Sequence, residues 1–496
     1  MESNDKKKSY TFRFLARVII EAVTPLSVGS GEKGFMSDHL VARDVNGLPY
    51  ILGTAVAGIV RHAIDSDKAE KFFGCNMTEE EKKKQGRPRG RKGQKESSGE
   101  GSQIIFSSAQ LVYNKAGEVV DGLLLNQRKE KIDCLKFFEN LPVRQHVRID
   151  ERGTSVKGGK FDEEVVFKGT RFCFEIEMLS ETQKNVKIFD EVITHLASDT
   201  ICIGSGTRTG HGVFEIKECL YAVLDLNNKE HREAYIGKTT SLNDPFWKEN
   251  GFGNDKVDDY KGKDEKWVTY QLALKPDDFF LFGSGFGNEK ADMTPVMEEV
   301  ISWETDSAPT LIKDCVLIPG SSVKGAFSHR VAFHYNKLKN IFVDVITRGL
   351  EKDAIQSKIL EHVGCQNIAV RTLFGYTSEN EKLAERGSVL ISDVMLRREK
   401  EHTKILNHVS IDRFTGGAID GFLFAEEVTY GNDETFTLTF KVHEEALIDN
   451  DIKQAFENAL IDIASGMLPL GGGINRGHGC FTGKILKNGK EIYKYE

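Results

Sequence analysis

The chain has 496 residues, 39% hydrophobic and 29% charged, a composition that indicates a water-soluble globular protein of more than one domain. The net charge of −8 does not by itself indicate nucleic-acid binding, and eight scattered cysteines without a C-x-x-C pair argue against a zinc ribbon or a disulfide framework. No apolar run reaches the ~18–20 residues of a membrane-spanning helix, and the N-terminus leads into an alternating strand pattern instead of a secretory signal. We therefore expect a cytoplasmic protein with no membrane partner.

The first predicted element is a strand over residues 10–22, and a helix is predicted after Gly53. A basic insertion follows at about residues 76–102, in which EKKKQGRPRGRKGQK (81–95) holds eight Lys or Arg and no apolar residue. This run has two interpretations: a solvated, disordered loop, or a flexible arm that screens a phosphate backbone and makes binding salt-dependent. The sequence leaves both open.

The second part of the chain repeats the first. Three pairs of blocks match in the same order: LPYILGTAVAGIVRH (48–62) and CVLIPGSSVKGAFSH (315–329), HVRID (146–150) and HVSID (408–412), GSGTRTGHG (204–212) and GGGINRGHG (471–479). The offsets are 267, 262 and 267 positions, respectively. Because such self-similarity indicates a duplicated unit, we predict one domain over residues 1–225, a polar linker over 226–266 and a second domain over 267–496.

Each copy has the predicted order strand, glycine loop, strand, helix, strands, hairpin, strand, helix, glycine loop, strand. Ser321 and Ser322 are predicted to N-cap the helix of the PGSSVKGAFSH block. Apolar residues spaced by three and four precede each second glycine loop and predict amphipathic helices; they are Phe189, Val192, Leu196, Phe456, Leu460, Ile463 and Met467. This mixture predicts an α+β fold of ferredoxin-like sheets with helices packed on one face.

The two HG-ending glycine loops do not fit a nucleotide-cofactor motif. Neither ends in Lys-Ser/Thr, and each follows a helix and precedes a strand, the reverse of a Walker or dinucleotide-binding loop. Two interpretations remain. The loop is a tight helix-to-strand connection, or glycines such as Gly206 and Gly473 let backbone N–H groups approach a phosphate, beside Arg208 or Arg476.

These blocks, together with SDHLVARDVNGLPYILG, LFG…SVLISD and HVSIDRFTGGAIDGFLFAEEV, resemble the RAMP superfamily of CRISPR antiviral systems over nearly the whole chain. The resemblance is to backbone subunits of type III effector complexes, in the tandem form of III-D-like complexes. It implies two RRM-like domains, each with a thumb hairpin, that stack along a guide RNA (crRNA) and cleave a paired target RNA. It also implies further RAMP subunits and a large polymerase-like subunit as partners.

In that family an Asp in the loop after the first strand carries out metal-dependent cleavage, and this position corresponds to Asp38 and Asp292. Thirteen extra residues separate Asp292 from Gly320, compared with the first copy, and the second copy lacks the Arg43–Asp44 pair. An inactive second site is therefore an open alternative.

The expected RNA contacts follow from the same resemblance and from charge. A helix lysine near the guide backbone corresponds to Lys324. Because the first copy has Ala57 there, we expect the contact to be either weaker in that copy or replaced by Arg61. The expected RNA-binding residues are Arg61, Arg148, Gly206, Arg208, Ser321, Ser322, Lys324, Arg413, Gly473 and Arg476.

The expected chemistry uses the 2′-hydroxyl of RNA as the nucleophile. One carboxylate with a hydrated divalent ion, Mg²⁺ or Mn²⁺, is enough to help remove the proton and to stabilise the charged phosphorane. Three alternatives stay open: a non-catalytic guide scaffold, a stand-alone guide-processing RNase of the same superfamily, and a metal-independent acid–base set made of His146, His211, His408 and His478.

Overall fold

The computed structural model describes residues 9–495, apart from 33, 35–36, 77–98, 126–130, 151–152, 249–253, 256, 261–263, 265, 305–307, 378–383, 398–401 and 432–434. The basic run at 81–95 lies outside the described residues. Among the helices that are described, none is long and apolar enough to cross a membrane.

The first repeat forms an antiparallel sheet with two main helices on one face. Its elements, with those of the segment that follows, are β1 (Phe12–Ala22), α1 (Gly53–Ala63), α2 (Ser66–Phe73), β2 (Cys75–Asn76), β3 (Gly99–Glu100), β4 (Ile104–Phe106), β5 (Gln110–Leu111), β6 (Val143–Ile149), β7 (Ser155–Glu164), β8 (Arg171–Ser180), α3 (Val186–Leu196), β9 (Phe214–Asp225), α4 (Lys229–Gly237) and β10 (Asn254–Asp255). In the order β9-β1-β8-β4, the first strand of the repeat, β1, lies between the last strand, β9, and β8. This is the ferredoxin-like arrangement.

The second repeat has the same arrangement. Its elements are β11 (Trp267–Pro276), β12 (Phe279–Phe280), β13 (Met297–Ser302), β14 (Thr310–Ile318), α5 (Gly320–Leu338), α6 (Val343–Ile346), α7 (Lys352–Leu360), α8 (Ile368–Phe374), β15 (Gly375–Thr377), β16 (Ala384–Arg386), β17 (Val389–Ile391), β18 (Val394–Arg397), β19 (Thr403–Ile411), β20 (Ala418–Tyr430), β21 (Phe436–His443), α9 (Asn450–Ala464), β22 (Phe481–Lys487) and β23 (Lys490–Lys494). Its main sheet has the order β17-β21-β11-β22-β23. The predicted α+β fold of two ferredoxin-like domains is confirmed.

Successive side chains of the central strand β1 point to opposite faces of the first sheet and pack against different parts of the protein. In β1, Phe14 and Val18 point into the core shared with α1 and α3, while Leu15 points to the opposite face. There it packs against Phe246 and Trp247, which belong to the segment 226–266 that we predicted as a linker. This segment therefore covers the outer face of the first sheet.

The amphipathic helices lie where the apolar spacing predicted them, with one exception. Phe456, Leu460 and Ile463 of α9 are fully buried in the second core, but the helix ends at Ala464, and Met467 lies beyond it with 66% of its surface exposed. The prediction that Met467 continues the buried stripe is wrong, because the chain turns before reaching it.

The helix of the PGSSVKGAFSH block begins two to three residues earlier than predicted, at Gly320. Pro319 is its N-cap residue, no side chain within the block caps it, and Ser321 and Ser322 lie in the first turn. The prediction that these serines are N-caps is wrong. The backbone N–H of Gly320 instead donates to Oδ1 of Asp393 at 2.7 Å, so a carboxylate distant in sequence performs the capping.

The stretch between Asp292 and Gly320, which is thirteen residues longer than its counterpart in the first repeat, contains the β13–β14 hairpin, which reaches the first repeat. The N–H of Ile301 donates to the carbonyl of Lys168 at 2.9 Å, and the Trp303 indole N–H donates to the carbonyl of Gly169 at 2.7 Å. Ile301 is only 3% exposed and is part of the first repeat's core. The hairpin therefore joins the two repeats through backbone pairing and apolar burial.

Each repeat also carries a two-stranded hairpin that projects from its sheet: β6–β7, the first thumb, and β19–β20, the second thumb. Apolar side chains on both are unusually exposed, among them Val147 at 51%, Phe161 at 42%, Phe414 at 90% and Leu423 at 71%. Exposed apolar residues in such numbers mark a surface for a partner.

Candidate nucleic-acid interface

Asp38 and Asp292 occupy equivalent places, although their spacing to the following helix differs. Oδ2 of Asp38 accepts a hydrogen bond from the backbone N–H of Asp162 at 3.2 Å. Oδ2 of Asp292 accepts one from the N–H of Ala425 at 2.8 Å. Both donors lie on the second strand of a thumb, and both carboxylates are at the surface. The β13–β14 hairpin lies between Asp292 and the helix, so the insertion leaves this position unchanged.

The residue after each donor is a buried glutamate that contacts both histidines of the repeated blocks. In the first repeat, Oε1 of Glu163 lies 2.9 Å from Nε2 of His146 and 3.3 Å from Nδ1 of His211. Burial opposes ionisation of Glu163, but the contacts with His146 and His211 outweigh it, so the pKa of this carboxyl is lowered. The thumb and the glycine loop thus meet at one ionised carboxylate.

The second repeat builds the same cluster with an added arginine. Oε1 of Glu426 lies 2.8 Å from Nε2 of His408 and 2.9 Å from Nε2 of His478, and Oε2 accepts from Arg476 at 2.5 Å. Burial raises the pKa of Glu426, but the contacts with Arg476, His478 and His408 have the larger, opposite effect. The pKa of this carboxyl is therefore lower than that of an ordinary glutamate. Glu163 and Glu426 escaped the sequence analysis, although the Glu-Glu doublets that follow both HV-x-I-D blocks, at 163–164 and 426–427, were a signal for them.

Gly206 and Gly473 are required by the histidines of their own loops. Both have positive φ, +65° and +71°. A Cβ on Gly206 would lie 2.6 Å from Nδ1 of His211, and one on Gly473 would lie 2.3 Å from Cδ2 of His478. For these two glycines, a tight connection around a buried ring explains the residue type.

Arg144 of the first thumb joins the first cluster to the second repeat. Its guanidinium donates to Oδ2 of Asp393 at 2.5 Å and, through Nη2, to Glu298 at 2.9 Å; Nη1 also lies 2.7 Å from Nε2 of His211. Burial disfavours its charge, but the carboxylates of Asp393 and Glu298 outweigh that effect and raise the pKa of Arg144. The first thumb is therefore fixed to the second repeat by a buried ionic cluster.

A cavity of about 730 Å³ opens between the repeats beside Asp38. Its walls come from the Asp38 loop, the first thumb, the HG-ending glycine loop of the first repeat (204–212) and the start of α5. The lining includes Gly31, Asp38, His39, His146, Phe161, Gly206, Thr209 and Ser321. The side chain of Asp38 thus faces a space shaped by both repeats.

Two cations, Arg208 and Lys324, lie close enough to each other for their charges to interact. Arg208 donates through Nε to the carbonyl of Gly387 at 2.7 Å, and burial, with a smaller contribution from Arg386, lowers its pKa to about 10. Burial and the charge of Arg208 also lower the pKa of Lys324. Lys324 makes no hydrogen bond or ion pair with any described residue, so the region keeps uncompensated positive charge.

The remaining predicted contacts lie elsewhere. Arg61 is exposed in the last turn of α1, Arg148 is exposed on β6, and Arg413 is exposed between the strands of the second thumb. None of the three lines the cavity beside Asp38. Ser322 is exposed in the first turn of α5, next to the cavity-lining Ser321.

In the described part of the chain, no three His, Cys, Asp or Glu side chains are grouped as a metal site. Asp38 and Asp292 are exposed carboxylates, so either could serve as a single protein ligand of a divalent ion whose other ligands are water and RNA phosphate oxygens. Mg²⁺ suits such a sparse donor set, because it keeps several waters and is often held by one or two carboxylates and substrate phosphates.

Taken together, each repeat is a ferredoxin-like domain whose projecting hairpin and last glycine loop meet at a buried glutamate, and the chain is a tandem of two such domains. The family model of the RAMP superfamily matches residues 19–215 and 308–482, about three quarters of the chain. The chain therefore belongs to the RAMP superfamily, and this membership indicates a CRISPR-associated RNA-binding subunit. No curated protein matches the chain in sequence.

Proposed function

We propose that this protein is the guide-RNA-binding backbone subunit of a type III CRISPR effector complex and that it cleaves the complementary target RNA at two positions. The observation that carries the proposal is the duplicated aspartate: Asp38 and Asp292 both lie at the surface, and both are held by a backbone N–H of a thumb.

Guide binding is assigned to the start of α5. The first turn of a helix presents backbone N–H groups and a partial positive charge that favour phosphate. One of these N–H groups, that of Gly320, already donates to Asp393. Lys324 with Arg208 adds positive charge at this helix without a described carboxylate partner. Contacts of this kind recognise the sugar–phosphate backbone and are indifferent to sequence, so target choice would come from base pairing with the guide.

In the proposed reaction, the 2′-oxygen of the target attacks the adjacent phosphorus and the bond to the 5′-oxygen breaks. Asp38 or Asp292 holds the linkage in line or accepts the 2′-proton, and its orientation is fixed by the bond from Asp162 or Ala425. When bound, Mg²⁺ or Mn²⁺ would supply charge stabilisation to the phosphorane. The products are a 2′,3′-cyclic phosphate and, after protonation by water, a 5′-hydroxyl.

His211 is poorly suited to replace the aspartates as acid or base. His211 is fully buried, and burial, with the charge of Arg144, lowers its pKa to about 4. A ring in that position is neutral at pH 7 and cannot reach a phosphodiester. Its contacts with Glu163 and Arg144 assign it to holding the thumb against the glycine loop.

The proposal is tested with the native complex loaded with guide RNA. We expect two cuts in a complementary target, loss of both cuts with EDTA, and loss of one cut when the nucleotide 5′ of that linkage is 2′-deoxy. A complex that binds guide and target but leaves the target intact would instead be a scaffold. Cleavage of unprocessed repeat RNA by the chain would assign it to guide processing.

A further inference from the structure

A Gly-Ser-Gly turn precedes each of the two proposed cleavage aspartates, at residues 29–31 and 283–285. The last glycine of the turn has nearly the same φ in the two repeats, +82° and +83°. The serine hydroxyl of the turn accepts a hydrogen bond from the backbone N–H two residues later, at 3.1 Å in both repeats. The residue that donates this bond is Glu32 in the first repeat and Phe286 in the second. The two backbones therefore match, but the side chains that they present differ in chemistry.

The ring of Phe286 is exposed, although its backbone is held in place. The exposed fraction of this residue is 59%. Its carbonyl oxygen accepts from Oγ of Ser284 at 3.0 Å, and from the backbone N–H and Oγ1 of Thr294 at 3.2 and 3.0 Å. The ring therefore projects from a part of the loop that three hydrogen bonds fix.

Phe286 lies between the first thumb and Asp292. A Cβ on Gly285 would lie 3.5 Å from Oε1 of Gln145, a residue of β6 in the first thumb, and a Cβ on Gly287 would lie 2.9 Å from Cα of Asp292. The residues on both sides of the ring thus contact the two features that would meet the target. An RNA strand that brings a linkage to Asp292 therefore also brings its bases within reach of the ring.

The residues that follow the ring suit a nucleotide better than a protein partner. Residues 287–290 (Gly, Asn, Glu and Lys) are all exposed and include no apolar side chain. The buried centre of a protein interface is a contiguous, largely apolar patch, whereas a nucleic-acid base can stack on a single aromatic ring. Every base has such a face, so this contact would not select a target sequence.

We propose that Phe286 stacks on a target-RNA base beside the linkage that is cut at Asp292. The proposal rests on the proposed function and adds a substrate-binding residue to one of its two sites. A stacked base restricts the rotation of its own sugar and phosphate, which helps to hold the 2′-oxygen in line with the bond that breaks. Because Glu32 occupies the equivalent place in the first repeat, the contribution of Phe286 should be confined to the cut assigned to Asp292.

The cleavage test compares Phe286→Ala with Phe286→Tyr, which keeps the ring, and with Phe342→Ala, which removes a 45%-exposed ring next to α6. In the native complex with guide RNA, Phe286→Ala should slow the Asp292 cut about tenfold, the effect of losing one stacked base. The Asp38 cut and guide affinity should not change. Phe286→Tyr and Phe342→Ala should cut like the wild type. Wild-type cutting by Phe286→Ala, or equal slowing of both cuts, would overturn the proposal.

Targets with one abasic nucleotide test whether the ring acts through a base. The abasic position is moved along the target one nucleotide at a time. At one position beside the Asp292 linkage, loss of the base should slow this cut more in the wild type than in Phe286→Ala, because the variant has already lost the stacking partner. Equal slowing of the two proteins at every position would show that the ring and the base do not interact.

A readout that needs no cleavage separates failure of the stacking from failure of the proposed function. With 5-iodouracil placed at each target position in turn, irradiation of the native complex should crosslink one position, or two neighbouring ones, to Phe286. The same positions should not crosslink to residue 286 in Phe286→Ala. If the wild-type complex never cuts but this crosslink forms, the cleavage proposal fails and the stacking stands. If the complex cuts twice and no target position crosslinks to Phe286, the stacking is wrong.

Discussion

Arg144 of the first repeat lies 2.5 Å from Asp393 of the second, and both side chains are almost completely buried, at 5% and 1% exposure. Asp393 also caps α5 through Gly320. One carboxylate thus holds the base of the first thumb and the helix start that lines the cavity beside Asp38. The position of a thumb relative to the neighbouring repeat is set by this pair.

Replacing Arg144 with Met should destabilise the protein strongly. The change leaves Asp393 and Glu298 buried and facing each other without a cation, and breaking a buried ion pair in this way costs about 3–5 kcal/mol. Urea unfolding followed by intrinsic fluorescence measures the loss. The triple variant Arg144→Met, Glu298→Gln, Asp393→Asn should recover part of it; equal losses in the single and triple variants would show that packing, not charge, matters here.

Acid should weaken the fold through His211. Its pKa is lowered from 6.5 to about 4 in the folded protein, so the folded state resists protonation and the unfolded state does not. The contribution of His211 to the free energy of unfolding is therefore fully present above pH 6.5. This contribution is lost as pH falls from about 6.5 to 4, by roughly 3 kcal/mol in total. The melting temperature measured across this range should fall less steeply in His211→Gln than in the wild type, and equal slopes would contradict the assignment.

Adding a methyl group to the glycine loops should have an effect that depends on position. Gly473→Ala combines a positive φ with a Cβ 2.3 Å from the His478 ring, whereas Gly477→Ala has a positive φ of +89° and open space. Backbone strain alone costs about 1–3 kcal/mol, and Gly473→Ala should exceed Gly477→Ala because the ring must also move. Thermal unfolding of the two variants compares them; a larger loss in Gly477→Ala would refute this reading.

Removing the charge of Lys324 should weaken guide binding and make the remaining affinity less dependent on salt concentration. Lys324→Met should bind guide RNA of any sequence more weakly and should reduce the slope of log affinity against log salt by about 0.7, the value for one phosphate contact to a single strand. Lys352→Met, an exposed change in α7, is the matched control and should leave the slope unaltered. Filter binding at several salt concentrations supplies both slopes.

The sequence predicted the features that repeat, and it missed those that cross between repeats. The repeated blocks indicated the duplication, and Asp38 and Asp292 occupy equivalent places beside the two thumbs because the β13–β14 insertion lies after Asp292. Arg144, Glu298 and Asp393 carry no periodic signal, and they meet only because the two sheets pack together. Tertiary contacts of this kind leave no pattern in a single sequence.

The arginines of the glycine loops show a second limit. Arg208 and Arg476 looked like one repeated feature, but the histidine and glycine that end each loop set the alignment, and Asn475 is the counterpart of Arg208. Arg208 therefore contacts the second repeat, whereas Arg476 contacts the glutamate of its own thumb. Likewise, Phe246 and Trp247 are buried, but the segment 226–266 that contains them is polar on average, so its composition predicted a linker.

The central claim is that Asp38 and Asp292 each cut the target RNA. The most direct measurement is the rate and position of target cleavage by the native complex carrying Asp38→Asn, Asp292→Asn or both, with Asp353→Asn in α7 as the control. Each single variant should lose one cut, and the double variant should be slower by about 10²–10⁴-fold, the usual contribution of a positioned acid or base, with guide binding unchanged. Wild-type cutting by the double variant would contradict the account.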